Sequence, residues 1–187
     1  LSNYFPDNKY FLYTPKAKEN SRLSFLNSNS NTFVRTPKSL LNRALKSYWR
    51  SKSIVKDLFT NKIDIYHGLS HELPLGIEKT SIKSVVTIHD LIFIRYPHLF
   101  STIDRKIYFK KFKSACERAD KIIAISQQTK QDIIDFLDIP ESKITVVYQG
   151  CNNIFQKPIA ESKKEETLKK YNIPTEYLLN VGSIEER

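Results

Sequence analysis

Apolar residues follow two rhythms along this chain, and their alternation predicts its architecture. Ile63-Asp64-Ile65-Tyr66, Ser84 to Ile88, Lys121 to Ile125 and Lys143 to Tyr148 are short, nearly continuous apolar or β-branched runs. Runs of that length read as strands buried on both faces of a sheet. Between them apolar residues recur at helix spacing. From Ser39 to Phe59 they fall at Leu40, Leu41, Ala44, Leu45, Tyr48, Val55, Leu58 and Phe59, which predicts one helix leading into the strand at 63–66. Ser101 and Asp104 form a capping box ahead of a second helix, with Ile107, Tyr108, Phe112, Ala115, Cys116 and Ala119 on one face. Ser126 is an N-cap residue for a third helix ending near Leu137, with Pro140 just beyond.

The flanks read less regularly. Tyr10 to Thr14 predicts a buried strand stopped by Pro15, and Thr32 to Arg35 a short strand before Pro37. Residues 16–32, 69–83 and 89–100 read as connections, the second with a short helical turn. Residues 156–164 have linker composition, Glu165 to Tyr171 a short helix, and Tyr177 to Val181 a last strand ending at Gly182-Ser183. Strands alternating with amphipathic helices predict an α/β fold: a Rossmann-like parallel sheet flanked by helices, with a truncated second domain. The division expected is 1–157 for the first domain and 158–187 for a linker and the first strand of the second.

Composition narrows the class. The chain has 187 residues, is 40% hydrophobic and 12% aromatic, and its mean hydropathy of −0.42 fits a water-soluble protein. No apolar run approaches the roughly 20 residues a membrane-spanning helix needs. There is no methionine, and Leu1-Ser2-Asn3-Tyr4 has no signal-peptide layout, so the expectation is an internal piece of a longer protein. Cys116 and Cys151 give no disulfide or zinc framework and fit a reducing, cytoplasmic compartment. Cys116, inside an apolar stripe, reads as a core residue. The net charge of +10 would attract nucleic acid, an anionic membrane or a phosphorylated ligand.

Each central strand run ends in a small polar cluster: His67-Gly68, His89-Asp90, Ser126 and Gln149-Gly150. Ligands of open parallel sheets bind outside the carboxyl ends of the strands. His89 at such an end could bond a substrate hydroxyl or phosphate, or act as a general base; it could equally be a structural imidazole closing the strand. His67-Gly68, followed by His71 and Glu72, pairs a second imidazole with a glycine that lets backbone approach closely, although an ordinary polar turn would look the same. Ser126 is foremost a cap, and His98 a surface residue. No cluster has metal-ligand spacing. The helix over 39–59 sets Arg43, Lys46, Arg50, Lys52 and Lys56 against its apolar stripe, with Trp49 near the boundary. That pattern fits an interfacial helix on an anionic membrane, and more often a core-packed helix with a basic outside. No phosphate-binding glycine loop, nucleophile elbow or nucleic-acid motif is present.

Taken in order, four segments resemble the family 4 retaining glycosyltransferases of GT-B fold. They are Val85-Val86-Thr87-Ile88-His89-Asp90-Leu91; Ala119 to Ser126 with Thr129-Lys130 and Asp132-Ile133; Lys143 to Gly150 with Phe155; and Tyr177 to Gly182-Ser183. The resemblance runs from about residue 63 to 187, while residues 1–60 share only the strand–helix rhythm. It implies transfer of a sugar from a nucleotide-sugar donor to a glycan or lipid-linked acceptor, with retention and without an essential metal or other cofactor. It implies catalytic positions at His89 and Asp90, acceptor-side positions at His67, Gly68 and Arg95, and donor-side positions at Gly182 and Ser183. Peripheral contact of helix 39–59 with the inner face of the cytoplasmic membrane is compatible with it; nucleic acid is not an expected partner. Two features depart from the family pattern. Ser183 stands where many members carry a basic residue, and the glycine-rich first strand-loop is missing. With the donor domain also absent, residues 1–187 alone are expected to be inactive. The competing readings are a basic membrane-surface or nucleic-acid binding module, and a different α/β enzyme such as a phosphatase or epimerase.

Overall fold

The computed structural model describes residues 1–2, 4–17, 26 and 29–182. Its centre is a four-stranded, all-parallel sheet in the order β3 (Ile65–Gly68), β4 (Lys83–Ile88), β5 (Lys121–Ala124), β6 (Ile144–Val146). The register sets Val86 beside Ile122, Ile88 beside Ala124, and Ile122 beside Ile144. Val86, Ile88, Ile122 and Ala124 are fully buried, because β4 and β5 lie inside the sheet with helices packed over them. A separate parallel pair, β1 (Tyr10–Tyr13) and β2 (Thr32–Arg35), lies outside that sheet.

Two long helices follow the two inner strands. α5 (Thr102–Arg118) starts at Ser101, whose hydroxyl accepts from the Asp104 amide at 3.1 Å and donates to the Asp104 carboxylate at 2.7 Å. α6 (Gln127–Leu137) starts at Ser126, which accepts from the Thr129 amide at 3.0 Å. Both caps stand where the sequence puts them. Cys116 is buried, and burial pushes its thiol up to about 12; Cys151 is exposed. Arg118 ends α5 by donating to the carbonyls of Pro74 (2.7 Å) and Leu73 (3.1 Å), which fastens the 69–82 connection to the helix.

The structure corrects several sequence expectations. The strand ladder is shifted: β3 takes in His67 and Gly68, while Lys143 belongs to a 3₁₀ turn before β6. The 89–100 connection contains the short helix α4 (Ile92–Arg95) and a turn at Pro97–Leu99. Helix 39–59 is not continuous. It forms α1 (Leu40–Ala44), a break at Leu45, α2 (Lys46–Tyr48), a π-helical turn (Trp49–Ser53) and α3 (Ile54–Thr60). Trp49 is the most deeply buried side chain of its first half, its indole N–H donating to Asp57 at 2.7 Å, whereas α1 and α2 bury nothing. β1 is half-exposed, because only β2 pairs with it. Ile107 is exposed, since the buried stripe of α5 narrows to Ala115, Cys116 and Ala119. The last short helix, α7, begins earlier, over Glu161–Lys170. Tyr177 to Val181 is not a strand. Leu178, Leu179 and Val181 are exposed, and a strand with no ladder partner leaves its peptide groups to water.

Candidate active site at the carboxyl ends of the strands

β3 and β4 deliver His67 and His89 to the same end of the sheet, since parallel strands share a direction. The His67 Nε2 lies 2.8 Å from the Thr87 hydroxyl of β4, and burial holds the imidazole below its usual range. Gly68 is fixed by space: a Cβ there would lie 2.1 Å from the Glu72 carbonyl oxygen. The close approach that this glycine permits is thus made by the chain's own 69–72 turn.

That turn places a carbonyl against His89. The His89 Nε2 is 2.9 Å from the Leu69 carbonyl, and the Gln149 side-chain amide is 3.3 Å from Nδ1. A carbonyl only accepts, so Nε2 carries the proton, and Nδ1 offers its lone pair to the Gln149 N–H. Both contacts are satisfied by the neutral imidazole. Behind it, the Thr129 hydroxyl donates to the His89 main-chain carbonyl at 3.0 Å, tying the start of α6 to the end of β4. A substrate hydroxyl could engage either ring nitrogen by displacing one neighbour, the longer Gln149 contact more easily.

His71 completes the cluster. Its ring stacks on Phe112 of α5 (centroids 4.3 Å apart, planes 2° apart) and meets His89 edge-on at 5.2 Å. Its backbone is left-handed, with φ of 57°, and its buried Nδ1 has no hydrogen-bond partner. Burial, then the neighbouring His89, holds this imidazole below its ordinary value, against a weaker opposing pull from Asp90 and Glu72. A strained backbone and an unpaired buried nitrogen are both costly, and both sit against the strand-end imidazole.

The other expected positions separate. Asp90 is exposed, and its carboxylate accepts from the Ile92 amide at 3.2 Å, so it starts α4. Arg95 points to Asp132 of α6, which it grips through Nε (3.0 and 3.1 Å) and Nη2 (2.6 Å), with Gln128 adding a 2.8 Å bond. Gly182 is exposed with open space where a side chain would begin, and Ser183 lies outside the described residues. His98 is exposed, as expected. Sequence reasoning left His71, Phe112, Gln149 and Asp132 without a site role. Gln149 was detectable as the end of its strand run; the stacking of His71 on Phe112 joins positions 41 residues apart and leaves no local signal.

A family model described as Glycosyltransferase Family 4 matches residues 7–153. The chain belongs to glycosyltransferase family 4. The match takes in all six strands found among the described residues, and the whole histidine cluster. The chain is 31% identical over 124 residues to a protein named serotype-specific mannosyltransferase WbdA from Escherichia coli, covering 65% of this chain and 15% of that protein. It is 26% identical over 125 residues to O-antigen chain mannosyltransferase B from Escherichia coli, covering 66% of this chain and 31% of that protein. The chain thus spans less than a third of either relative. A glycosyltransferase crystal structure from Rickettsia africae ESF-5 superposes with a TM-score of 0.53 at 16% identity, over 92% of this chain and 43% of that one. The α/β sheet of this family 4 chain is accordingly of the GT-B type. Among its described residues no helix is long and apolar enough to cross a membrane.

Proposed function

We propose that this chain is the acceptor-side part of a hexosyltransferase that moves a sugar from a nucleotide-sugar donor to a glycan or lipid-linked acceptor, with retention of anomeric configuration and no essential metal. The observation that carries the reading is the family match over 7–153, which contains the complete strand-end cluster. In this reading residues 1–157 form the acceptor-side domain, and 158–187 lead into the donor domain. His89 contacts the transferring sugar, with Asp90 setting the turn beside it. His67 and Gly68 shape the acceptor side. Arg95, braced by Asp132, holds the α4 segment there, and Gly182 and Ser183 approach the donor diphosphate. A basic chain suits an anionic donor. Its free cysteines suit the cytoplasm. The names of the Escherichia coli relatives make mannose the first donor sugar to try.

The test is a transfer assay on the parent enzyme with a panel of nucleotide sugars, reading the product anomer by NMR. Retention is expected, and His89→Ala should lower kcat by about 100-fold or more with a smaller change in KM. An inverted product would overturn the stereochemical part, and unchanged turnover in the variant would remove His89 from the mechanism. Failure of every nucleotide sugar would return the question to other α/β enzymes or to a binding module.

A further inference from the structure

The two ring nitrogens of His89 meet partners of different kinds. Nε2 faces the Leu69 carbonyl at 2.9 Å, and the 69–72 turn that carries this carbonyl is fastened on both sides. The His71 amide donates to the Thr87 carbonyl of β4 at 3.0 Å. The Glu72 carboxylate pairs with Arg50 at 3.3 Å and with Lys111 of α5. Gly68 lets the Glu72 carbonyl settle against β3. The Leu69 carbonyl is therefore a fixed acceptor, and it fixes the ring proton on Nε2. His71 closes a further edge of the ring, with centroids 5.2 Å apart.

Nδ1 has no such fixture. β6 ends at Val146, and the Val147 amide still donates to the Ala124 carbonyl at 2.9 Å. Two residues on, Gln149 has left the ladder. It is exposed, and among the described residues its side chain makes one hydrogen bond, from its amide to His89 Nδ1 at 3.3 Å. That contact is longer than the one to Leu69, and its donor hangs on a solvent-facing side chain. What it covers is a lone pair. A bare imidazole nitrogen takes a donor, so the group that fits in place of the Gln149 amide is a hydroxyl. A phosphate oxygen, which only accepts, does not fit there.

We propose that Gln149 is a positioning residue for His89: it holds the ring through the Nδ1 lone pair in the resting enzyme and gives way there to a donating sugar hydroxyl. This role deepens the transferase reading and rests on it for the substrate, while the state of the ring is readable without turnover. A positioning glutamine and a merely structural one differ in what they tolerate. Glutamate has the same shape, and it accepts where the glutamine amide donates. At position 149 it draws a proton onto Nδ1, which leaves both ring nitrogens as donors and no lone pair for the hydroxyl. Alanine loosens the ring and spares the lone pair. The side chain is exposed, so the fold tolerates both changes.

The test uses the parent enzyme labelled with nitrogen-15 histidine, the His89 signals being those lost in His89→Ala. At about pH 7.5, where an unperturbed imidazole is neutral, the native ring should show a bare Nδ1 and a protonated Nε2. Gln149→Glu should show both nitrogens protonated. In transfer assays Gln149→Glu should lower kcat about 100-fold and Gln149→Ala about 10-fold, with smaller changes in KM. A native ring protonated on Nδ1 overturns the proposal. So does a kcat that alanine lowers as much as glutamate, or a glutamate effect confined to the donor KM, which would be mere repulsion of the anionic donor. Pyrophosphate alone should leave Nδ1 bare; a proton gained there on its addition overturns the hydroxyl assignment. Should no nucleotide sugar turn over, the transferase reading falls, while the nitrogen signals of the native ring and of Gln149→Glu still decide the role of Gln149.

Discussion

The two ends of the central sheet are both polar, and they are built differently. At the amino end, Asp120 accepts from the Ser84 amide (2.8 Å) and hydroxyl (3.0 Å) and returns a bond from its own amide to the Ser84 oxygen at 3.1 Å. Arg118 next to it is shared among two carbonyls and Glu78. These groups close on one another. At the carboxyl end, His71 keeps an unpaired buried nitrogen on a left-handed backbone, and His89 is held by contacts a ligand could replace. Polarity alone does not distinguish a site from a staple. Hydrogen-bonding capacity left unused, at a cost in stability, does.

The sharpest challenge to this contrast is Gly68→Ala. A methyl group 2.1 Å from the Glu72 carbonyl must push the 69–72 turn away from β3. A loss of about 3 kcal/mol is expected in urea unfolding, together with displaced His89 resonances; a loss below about 1 kcal/mol would mean that the turn is free to move. A smaller effect should come from His71→Phe, which keeps a ring on Phe112 and removes the titration. Because the folded state holds His71 below its ordinary value of about 6.5, the unfolded chain binds more protons as pH falls. Stability is thus complete above about pH 6.5 and declines as pH drops through the lower folded value. His67 acts in the same sense, so the variant should shallow this decline between about pH 7 and pH 5 without abolishing it. An unaltered slope would remove His71 from the account.

The smallest effect is expected at the opposite end. The Ser84 amide, ahead of the Ser84 hydroxyl and Lys83, holds the Asp120 carboxyl below its usual value. Its contribution to stability is present above about pH 4 and is lost as pH falls through the depressed folded value. Asp120→Asn should flatten only that acid limb, and slightly, because the carboxylate is 45% exposed and water screens it. A change in the pH 5–7 range instead would show that the two ends of the sheet are coupled.

The four central strands, both helix caps and the placing of His67 and His89 at strand ends were legible because each is written in adjacent residues. An apolar run of four to six makes a buried strand, and Ser101 with Asp104, or Ser126 with Thr129, completes a cap within one turn. Tyr177 to Val181 has the composition of a strand, but composition supplies no pairing partner, and none of its peptide groups joins a ladder. The helix over 39–59 kept its period in sequence and lost it in space, since neither the break at Leu45 nor the π turn at Trp49–Ser53 leaves a mark in the hydrophobic pattern.

The sequence by itself determined the α/β class, the ladder of strands and the family, because periodicity and short ordered motifs are local properties. Only the tertiary structure decided how each polar group is used: Arg95 on Asp132, Asp90 on the start of α4, Gln149 on the imidazole of His89, and His71 wedged between His89 and Phe112. Those contacts join residues 37, 2, 60, 18 and 41 positions apart. All but the Asp90 contact depend on how strands and helices pack, which no local pattern encodes.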